Sequence, residues 1–158
     1  MEMPIPHDNS NIVSSWDVLN GQEVTGDCVV IGGGLVGAET AEYLANKGHQ
    51  VTIVEMMDKI AAGESTTVLP LMMKDFADHN VKQLVNTKVD HIENNIVYTA
   101  NDQIKADTII NALGSKKNIF DDSSITIPHV CVGDCSGERT ADIASAIRTA
   151  YHAANEIG

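Results

Sequence analysis

The sequence predicts an α/β fold with a Rossmann-like βαβ parallel sheet, an antiparallel β-meander, and a C-terminal strand and helix. Three observations support this prediction. A β-branched run enters a glycine-rich turn, a helix-forming segment leaves it, and short β-rich runs separated by polar turns follow later in the chain. The 158 residues are enough to bury one good hydrophobic core.

The glycine-rich turn matches the motif G-x-G-x-x-G at Gly32, Gly34 and Gly37. In this motif the first glycine permits a tight turn, the second lets backbone approach a pyrophosphate, and the third lets helix and strand pack closely. A helix is expected to follow, ending near Lys47 and Gly48, with its first N–H groups and positive dipole end facing the phosphates. The expected pyrophosphate contacts are Gly32, Gly34, Leu35, Val36 and Gly37.

A second apolar strand ends at Glu55, which lies 18 residues beyond Gly37. That offset is close to the one at which an acidic residue binds the ribose of a dinucleotide. The carboxylate would repel a 2′-phosphate, and the next residues, Met56 to Asp58, include no arginine to hold one. We therefore expect NAD(H) rather than NADP(H) as ligand; the alternative is a glycine-rich turn without a ligand.

Bulk properties exclude several classes of partner. A net charge of −12 argues against nucleic acid, because phosphates require a basic surface. No apolar run is long enough to span a membrane, so a membrane is not expected as a partner. Cys28, Cys131 and Cys135 form neither a disulfide framework nor a zinc pattern, so no metal site is predicted and the cytoplasm is the expected location.

Residues 1–23 are interpreted as a lead-in segment. Within it, Ser15 could cap a short helical turn, and Trp16 is expected to pack this segment onto the body of the protein. After Glu55, a helix is predicted to run from about residue 65 to His79, capped by a Ser or Thr at 65–67. A short strand is predicted to follow at residues 81–85.

The meander is predicted over residues 87–113, with polar turns at Asn94-Asn95 and Asn101-Asp102. A further strand is predicted from Ile127 to Asp134, followed by a helix that Thr140 could cap. The apolar stripe of this helix is expected to be buried against another surface; it comprises Ile143, Ile147, Ala150, Ala154 and Ile157.

Four segments together resemble the C-terminal portion of 2-enoate and 2,4-dienoyl-CoA reductases. These are Ile31–Leu44, the strand ending in Glu55, the strand end Ala112-Leu113-Gly114, and Val132–Cys135. These reductases, with NADH oxidase, are flavoproteins of the old yellow enzyme type and relate to the pyridine nucleotide–disulfide oxidoreductase superfamily. The resemblance implies an NAD(H)-binding domain inserted into a FAD-binding domain, with hydride passing from NADH to FAD and electrons onward through an iron–sulfur cluster to FMN.

The resemblance also implies domain boundaries and roles for further residues. Residues 24–115 would be the NAD(H)-binding domain, and 116–158 the C-terminal part of the FAD-binding domain. Asp134 would contact the ribityl chain of FAD. Glu39 would lie near the nicotinamide carboxamide, or alternatively be a helix-surface residue. The nicotinamide side would be formed by Ala112, Leu113 and Gly114.

The chain departs from these reductases in lacking their barrel, the cysteines for an iron–sulfur cluster, and a second G-x-G-x-x-G motif. FMN and the cluster would therefore lie outside this chain, FAD would belong to a full-length parent, and the isolated chain is expected to be inactive, with no catalytic residue assigned. Its expected partners are a dinucleotide and either the remaining domains of the parent or a second copy bound through the C-terminal helix. Two alternatives stay open: a non-catalytic ADP-binding structural domain, as in amine dehydrogenases of the same architecture, and a small FAD-binding protein.

Overall fold

A computed structural model describes residues 3–63, 65–114, 121–133, 136 and 143–156, which divide into two units at Gly114. The first unit carries strands and three helices, and the second carries one described helix. The strands are β1 (Ile12–Ser14), β2 (Cys28–Ile31), β3 (Val51–Val54), β4 (Lys82–Leu84), β5 (Val89–Glu93), β6 (Ile96–Thr99), β7 (Gln103–Lys105) and β8 (Thr108–Asn111). The helices are α1 (Ser15–Leu19), α2 (Leu35–Asn46), α3 (Leu69–Asp78) and α4 (Ile143–Glu156).

Five strands form a parallel sheet in the order β1-β8-β2-β3-β4. Ile31 at the end of β2 is in register with Val54 of β3 on one side and Asn111 of β8 on the other. The carboxyl ends of β8, β2 and β3 therefore meet at one edge of the sheet, where parallel α/β sheets bind their ligands.

The two faces of this sheet are covered differently. On one face, Val30, Ile53 and Ile110 pack with buried residues of the helices, among them Leu44 of α2 and Phe76 of α3. The opposite face packs against the antiparallel sheet β5-β6-β7 and includes Val29, Ile31, Ile92, Val97 and Ile109. This arrangement confirms the predicted α/β fold with its parallel sheet and antiparallel meander.

The structure corrects the interpretation of the N-terminal segment. Residues 12–14 form an edge strand that pairs with β8, and Ser14 rather than Ser15 caps α1, its Oγ accepting a hydrogen bond from Trp16 N–H. Trp16 remains 50% exposed, whereas Val18, on the other side of α1, is fully buried. Val18 therefore packs this segment onto the body, since it contributes the side chain that enters the core.

The structure also differs from the prediction around α3 and β8. The helix begins at Leu69, later than predicted, although Ser65 Oγ accepts a hydrogen bond from Val68 N–H just before it. The meander is shorter than predicted: its third strand ends at Lys105, and the chain then enters β8 inside the parallel sheet. The Asn94-Asn95 turn is confirmed, with both residues at positive φ as a type I′ hairpin turn requires.

In the second unit, the described residues 127–133 form no strand, so the strand predicted at Ile127–Asp134 is not observed among them. Helix α4 forms, and two residues of its predicted apolar stripe are exposed in the single chain: Ile143 is 80% and Ile147 64% exposed. Asp134, Cys135, Thr140 and Ile157 lie outside the described residues. No helix in the described part of the chain is both long and apolar enough to cross a bilayer.

Candidate functional site

The glycine-rich turn is packed tightly between β8 and α2. Gly32 has φ of +100°, and a β-carbon there would lie 2.7 Å from the carbonyl oxygen of Ala112. A β-carbon on Gly37 would lie 1.9 Å from the carbonyl oxygen of Gly32. Both positions therefore require glycine, as the motif predicts.

The N-terminus of α2, at Gly34, has no side-chain cap. Gly34 is the N-cap residue, no side chain caps the helix, and a β-carbon on Gly34 would meet nothing within 4 Å. The first N–H groups of the helix, from Leu35 and Val36 onward, have no intrahelical acceptor. They can therefore donate to an anion placed above Gly34, and the helix dipole favours negative charge at this end.

Gly32 does not share this donor role. Its N–H donates to the carbonyl oxygen of Val54 at 2.9 Å, which extends the pairing between β2 and β3. Among the five residues predicted to contact a pyrophosphate, Gly32 therefore contributes the conformation of the turn and not a donor. Gly37 contributes its small size, because it allows α2 to approach the turn.

Glu55 follows β3 directly and is 8% exposed, although it carries a carboxylate. Its Oε2 accepts a hydrogen bond from Gly33 N–H at 2.6 Å, and its Oε1 accepts one from Met57 N–H at 2.7 Å. A carboxylate oxygen can accept two hydrogen bonds, so each oxygen keeps a lone pair for a hydroxyl group. The carboxylate is thus held in one orientation beside the turn.

The loop after Glu55 reaches back to the same turn. Ala61 N–H donates to the carbonyl oxygen of Gly33 at 2.7 Å, and the buried Ile60 side chain lies against Gly33, where a β-carbon would be 2.5 Å from its Cδ1. This contact could not be predicted from the motif. Its only signal was a glycine at the first variable position of G-x-G-x-x-G, where the motif accepts other residues.

The other predicted site residues follow β8, lie on α2 or fall outside the described residues. Ala112 and Leu113, which follow β8, lie next to the turn, and Gly114 N–H donates to the carbonyl oxygen of Ala112 at 2.9 Å. Asn111 Oδ1 accepts a hydrogen bond from Leu113 N–H at 3.2 Å. Glu39 is exposed on α2, as either of its predicted roles requires. Asp134 lies outside the described residues, so its predicted contact with FAD has no structural account.

The described residues contain no metal-ligand cluster, and the Cys28 thiol is buried. No group of three or more His, Cys, Asp or Glu side chains there is arranged to hold a metal ion. Burial, together with the neighbouring Asp27 and Asp107, raises the pKa of the Cys28 thiol to about 11. Cys28 is therefore a protonated core residue at neutral pH.

A family model described as pyridine nucleotide-disulphide oxidoreductase matches residues 3–155. The bilirubin reductase of Mediterraneibacter gnavus is 44% identical over 161 residues, covering 97% of this chain and 24% of that protein. The cinnamate reductase of Clostridium sporogenes is 30% identical over 159 residues, covering 92% of this chain and 23% of that protein. A solved 2-naphthoyl-CoA reductase complex superposes with a TM-score of 0.80 at 26% identity, covering 96% of this chain and 24% of that one.

These relatives are much longer than the chain. The chain spans about a quarter of the length of the bilirubin reductase, the cinnamate reductase and the 2-naphthoyl-CoA reductase. Residues outside the matched quarter of each relative have no counterpart in the 158 residues.

Proposed function

The chain belongs to the pyridine nucleotide-disulphide oxidoreductase family, and we propose that it is the NAD(H)-binding portion of a larger flavin-dependent reductase. The observation that carries this proposal is the position of the buried Glu55 carboxylate next to the uncapped N-terminus of α2. One group accepts hydrogen bonds and the other donates them, as the sugar and diphosphate of a dinucleotide require.

The bound dinucleotide would lie across the carboxyl edge of the parallel sheet. Its diphosphate would accept hydrogen bonds from the N–H groups of Leu35 and Val36, and its adenosine ribose would donate to Glu55 at the end of β3. Since β8 lies on the opposite side of β2 from β3, the nicotinamide half would extend toward Ala112–Gly114. These residues bind and orient the dinucleotide, whereas a flavin supplies the hydride acceptor.

Selectivity for NAD(H) over NADP(H) is expected from the negative charge of Glu55 beside the adenosine ribose. A 2′-phosphate would stand beside the Glu55 carboxylate and be repelled by it. The following residues Met56 and Met57 are exposed but uncharged, so they offer no compensating cation. NADPH is therefore expected to bind more weakly than NADH by about tenfold or more, because two like charges about 4 Å apart near a protein surface repel by up to about 4 kcal/mol, and about 1.4 kcal/mol corresponds to a factor of ten.

We also propose that the parent is a reductase of the 2-enoate and 2,4-dienoyl-CoA type. The relatives named cinnamate reductase and 2-naphthoyl-CoA reductase support a conjugated acid or acyl-CoA as the substrate class. FMN, an iron–sulfur cluster and most of the FAD site would then lie in other parts of the parent. Within this chain, Asp134 is the residue proposed to reach FAD, and residues 24–115 are proposed as the NAD(H)-binding domain.

The exposed stripe on α4 leaves two proposals for a protein partner. Ile143 and Ile147 would be covered either by the remaining domains of the parent or by a second copy of this chain. Sedimentation of the purified chain separates them: a monomer favours the parent, whereas a dimer that Ile147→Lys dissociates favours self-association.

Titration calorimetry with NADH, ADP and FAD tests the proposed function. The proposal predicts that NADH binds in a 1:1 complex and more tightly than ADP, and that Glu55→Ala weakens NADH binding about tenfold while Asp58→Ala does not. Equal affinity for NADH and ADP would favour the ADP-binding structural domain. A yellow protein, or tight binding of added FAD, would favour the small flavoprotein.

A further inference from the structure

We propose that Glu55 is also a positioning residue, whose carboxylate holds the glycine-rich turn in the shape that receives the diphosphate. The role of the turn rests on the proposed function, whereas the contacts of Glu55 stand on the geometry alone. Both carboxylate oxygens are engaged by backbone donors, one of which belongs to the turn itself.

The peptide groups around Gly33 are held from two sides. The N–H of Gly33 donates to Glu55 Oε2 at 2.6 Å, and the carbonyl oxygen of Gly33 accepts from Ala61 N–H at 2.7 Å. Gly33 lies between Gly32, which makes the sharp turn, and Gly34, which begins α2. Contacts on both polar groups of Gly33 therefore set the direction in which the chain enters the helix.

Only a carboxylate can satisfy this arrangement. Two N–H donors converge on the side chain of Glu55, from Gly33 and from Met57, and a carboxylate offers an acceptor oxygen to each. A glutamine would present its amide nitrogen, itself a donor, to one of them. An alanine would leave both donors without their acceptor, at a place where Glu55 and Gly33 are buried.

This role links selectivity at the ribose to affinity at the diphosphate. A change of Glu55 to a cationic residue, designed to accept a 2′-phosphate, would remove the acceptor for Gly33 and Met57 at the same time. Glu55→Arg alone is therefore expected to lose NADH binding without gaining NADPH binding.

A ligand without ribose hydroxyls separates the two roles of Glu55. Calorimetry would compare ADP with 2′,3′-dideoxy-ADP, which keeps the diphosphate but cannot donate to the carboxylate. If Glu55 also positions the turn, Glu55→Ala binds the dideoxy ligand about fivefold or more weakly than the wild-type chain does, and Glu55→Gln falls between them. Asp58→Ala, which removes one exposed acid from the following loop, should match the wild type. Equal affinity of Glu55→Ala and wild type for the dideoxy ligand would overturn the inference.

A measurement without nucleotide keeps the inference testable on its own. Amide hydrogen exchange should accelerate at Gly33 and Met57 in Glu55→Ala, or in Glu55→Gln where alanine prevents folding, while exchange across β2 stays unchanged. Wild-type exchange rates at both amides in the variant would contradict the positioning role. Failure of the wild-type chain to bind any of the nucleotides would instead contradict the proposed function.

Discussion

Gly37 and Gly32 touch through bare backbone: a β-carbon on Gly37 would lie 1.9 Å from the carbonyl oxygen of Gly32. The obstacle is a carbonyl group of the turn, which no side-chain rotation can move aside. The close approach of α2 to β2 therefore depends on the absence of a single methyl group.

Gly37→Ala should destabilise the fold. The methyl group would force α2 away from the turn, and overpacking of this kind costs about 1–3 kcal/mol. Urea unfolding followed by circular dichroism measures the change in the free energy of unfolding. An unchanged midpoint would contradict the close approach of Gly37 and Gly32.

Gly34→Ala is the matched variant, because a β-carbon there meets nothing within 4 Å. Its free energy of unfolding should stay within about 1 kcal/mol of the wild type, since only the N-cap preference changes. NADH affinity should nevertheless fall, because the methyl group would occupy space proposed for the diphosphate. Calorimetry of both variants completes the comparison; undiminished NADH affinity in Gly34→Ala would argue against a diphosphate at this position.

Glu42 on α2 makes stability depend on pH. Burial first, and then the side chain of Asp75 on α3, raise the pKa of Glu42 above its ordinary value of 4.5. A carboxyl whose pKa is raised on folding stabilises the protein while protonated, and this contribution is lost as pH rises from 4.5 through the raised value. Glu42→Gln should therefore unfold at higher urea than the wild type at pH 7.

The control for that experiment is Glu93→Gln, which removes an exposed acid from β5. Its urea midpoint at pH 7 should stay close to that of the wild type, because substitutions of exposed surface residues change stability little. Glu42→Gln should raise that midpoint and flatten the dependence of stability on pH between 4.5 and 7. Parallel pH profiles for wild type and Glu42→Gln would show that Asp75 and burial do not act on Glu42 in the way the structure indicates.

The parts of the fold that could be predicted from sequence are those with local causes. The turn at Gly32, the chain reversal at Gly48 just after α2 and the Asn94-Asn95 hairpin each depend on residues that tolerate positive φ. β1 was missed because three residues carry little periodicity, and its strand character comes from pairing with β8, almost a hundred residues later. The place of β8 inside the parallel sheet has the same non-local origin.

The candidate site likewise combines residues with local causes and contacts that depend on distant parts of the chain. The motif and its spacing predicted Gly34, Gly37 and Glu55, because each has a local chemical requirement. The contacts of Ala61 and Ile60 with Gly33 could not be predicted, since they depend on how the loop after β3 folds back. The partner that covers the α4 stripe stayed open, because amphipathic spacing indicates a face that needs burial but does not identify its neighbour.

His129 should titrate above its ordinary pKa of 6.5. The carbonyl oxygen of Ile127 is the larger cause of the raised pKa, and the Asp122 carboxylate, 2.9 Å from His129 Nε2, adds to it. The stabilising contribution of His129 is complete below pH 6.5 and is lost as pH rises through the raised pKa. NMR titration should show a lower pKa for His129 in Asp122→Asn, still above 6.5 because the Ile127 contact remains.

Asp121→Asn is the control for this titration, because Asp121 accepts a hydrogen bond from Ser123 N–H instead. It should leave the titration of His129 unchanged. The pair should also affect Asp122, because the hydrogen bond with His129 lowers the pKa of this carboxyl below its ordinary value of 3.8. The stabilising contribution of Asp122 is therefore present above pH 3.8 and is lost as pH falls through the lowered pKa. Identical His129 titrations in wild type and Asp122→Asn would contradict the pair.

Cys28 should resist alkylation in the folded protein. Its side chain is 1% exposed and burial raises the pKa of its thiol to about 11, so both access and thiolate fraction are low. Iodoacetamide labelling followed by peptide mass analysis should modify Cys28 only when urea unfolds the first unit. Rapid labelling of Cys28 in native buffer would contradict its place in the core.

A crystal structure of the chain with NADH would show whether the dinucleotide binds at the glycine-rich turn. Diphosphate oxygens should lie within hydrogen-bonding distance of the N–H groups of Leu35 and Val36. Both adenosine ribose hydroxyls should contact the Glu55 carboxylate, and the nicotinamide should lie beside Ala112–Gly114. A dinucleotide bound elsewhere, or a Glu55 carboxylate that contacts neither the ribose nor Gly33, would contradict the proposed site.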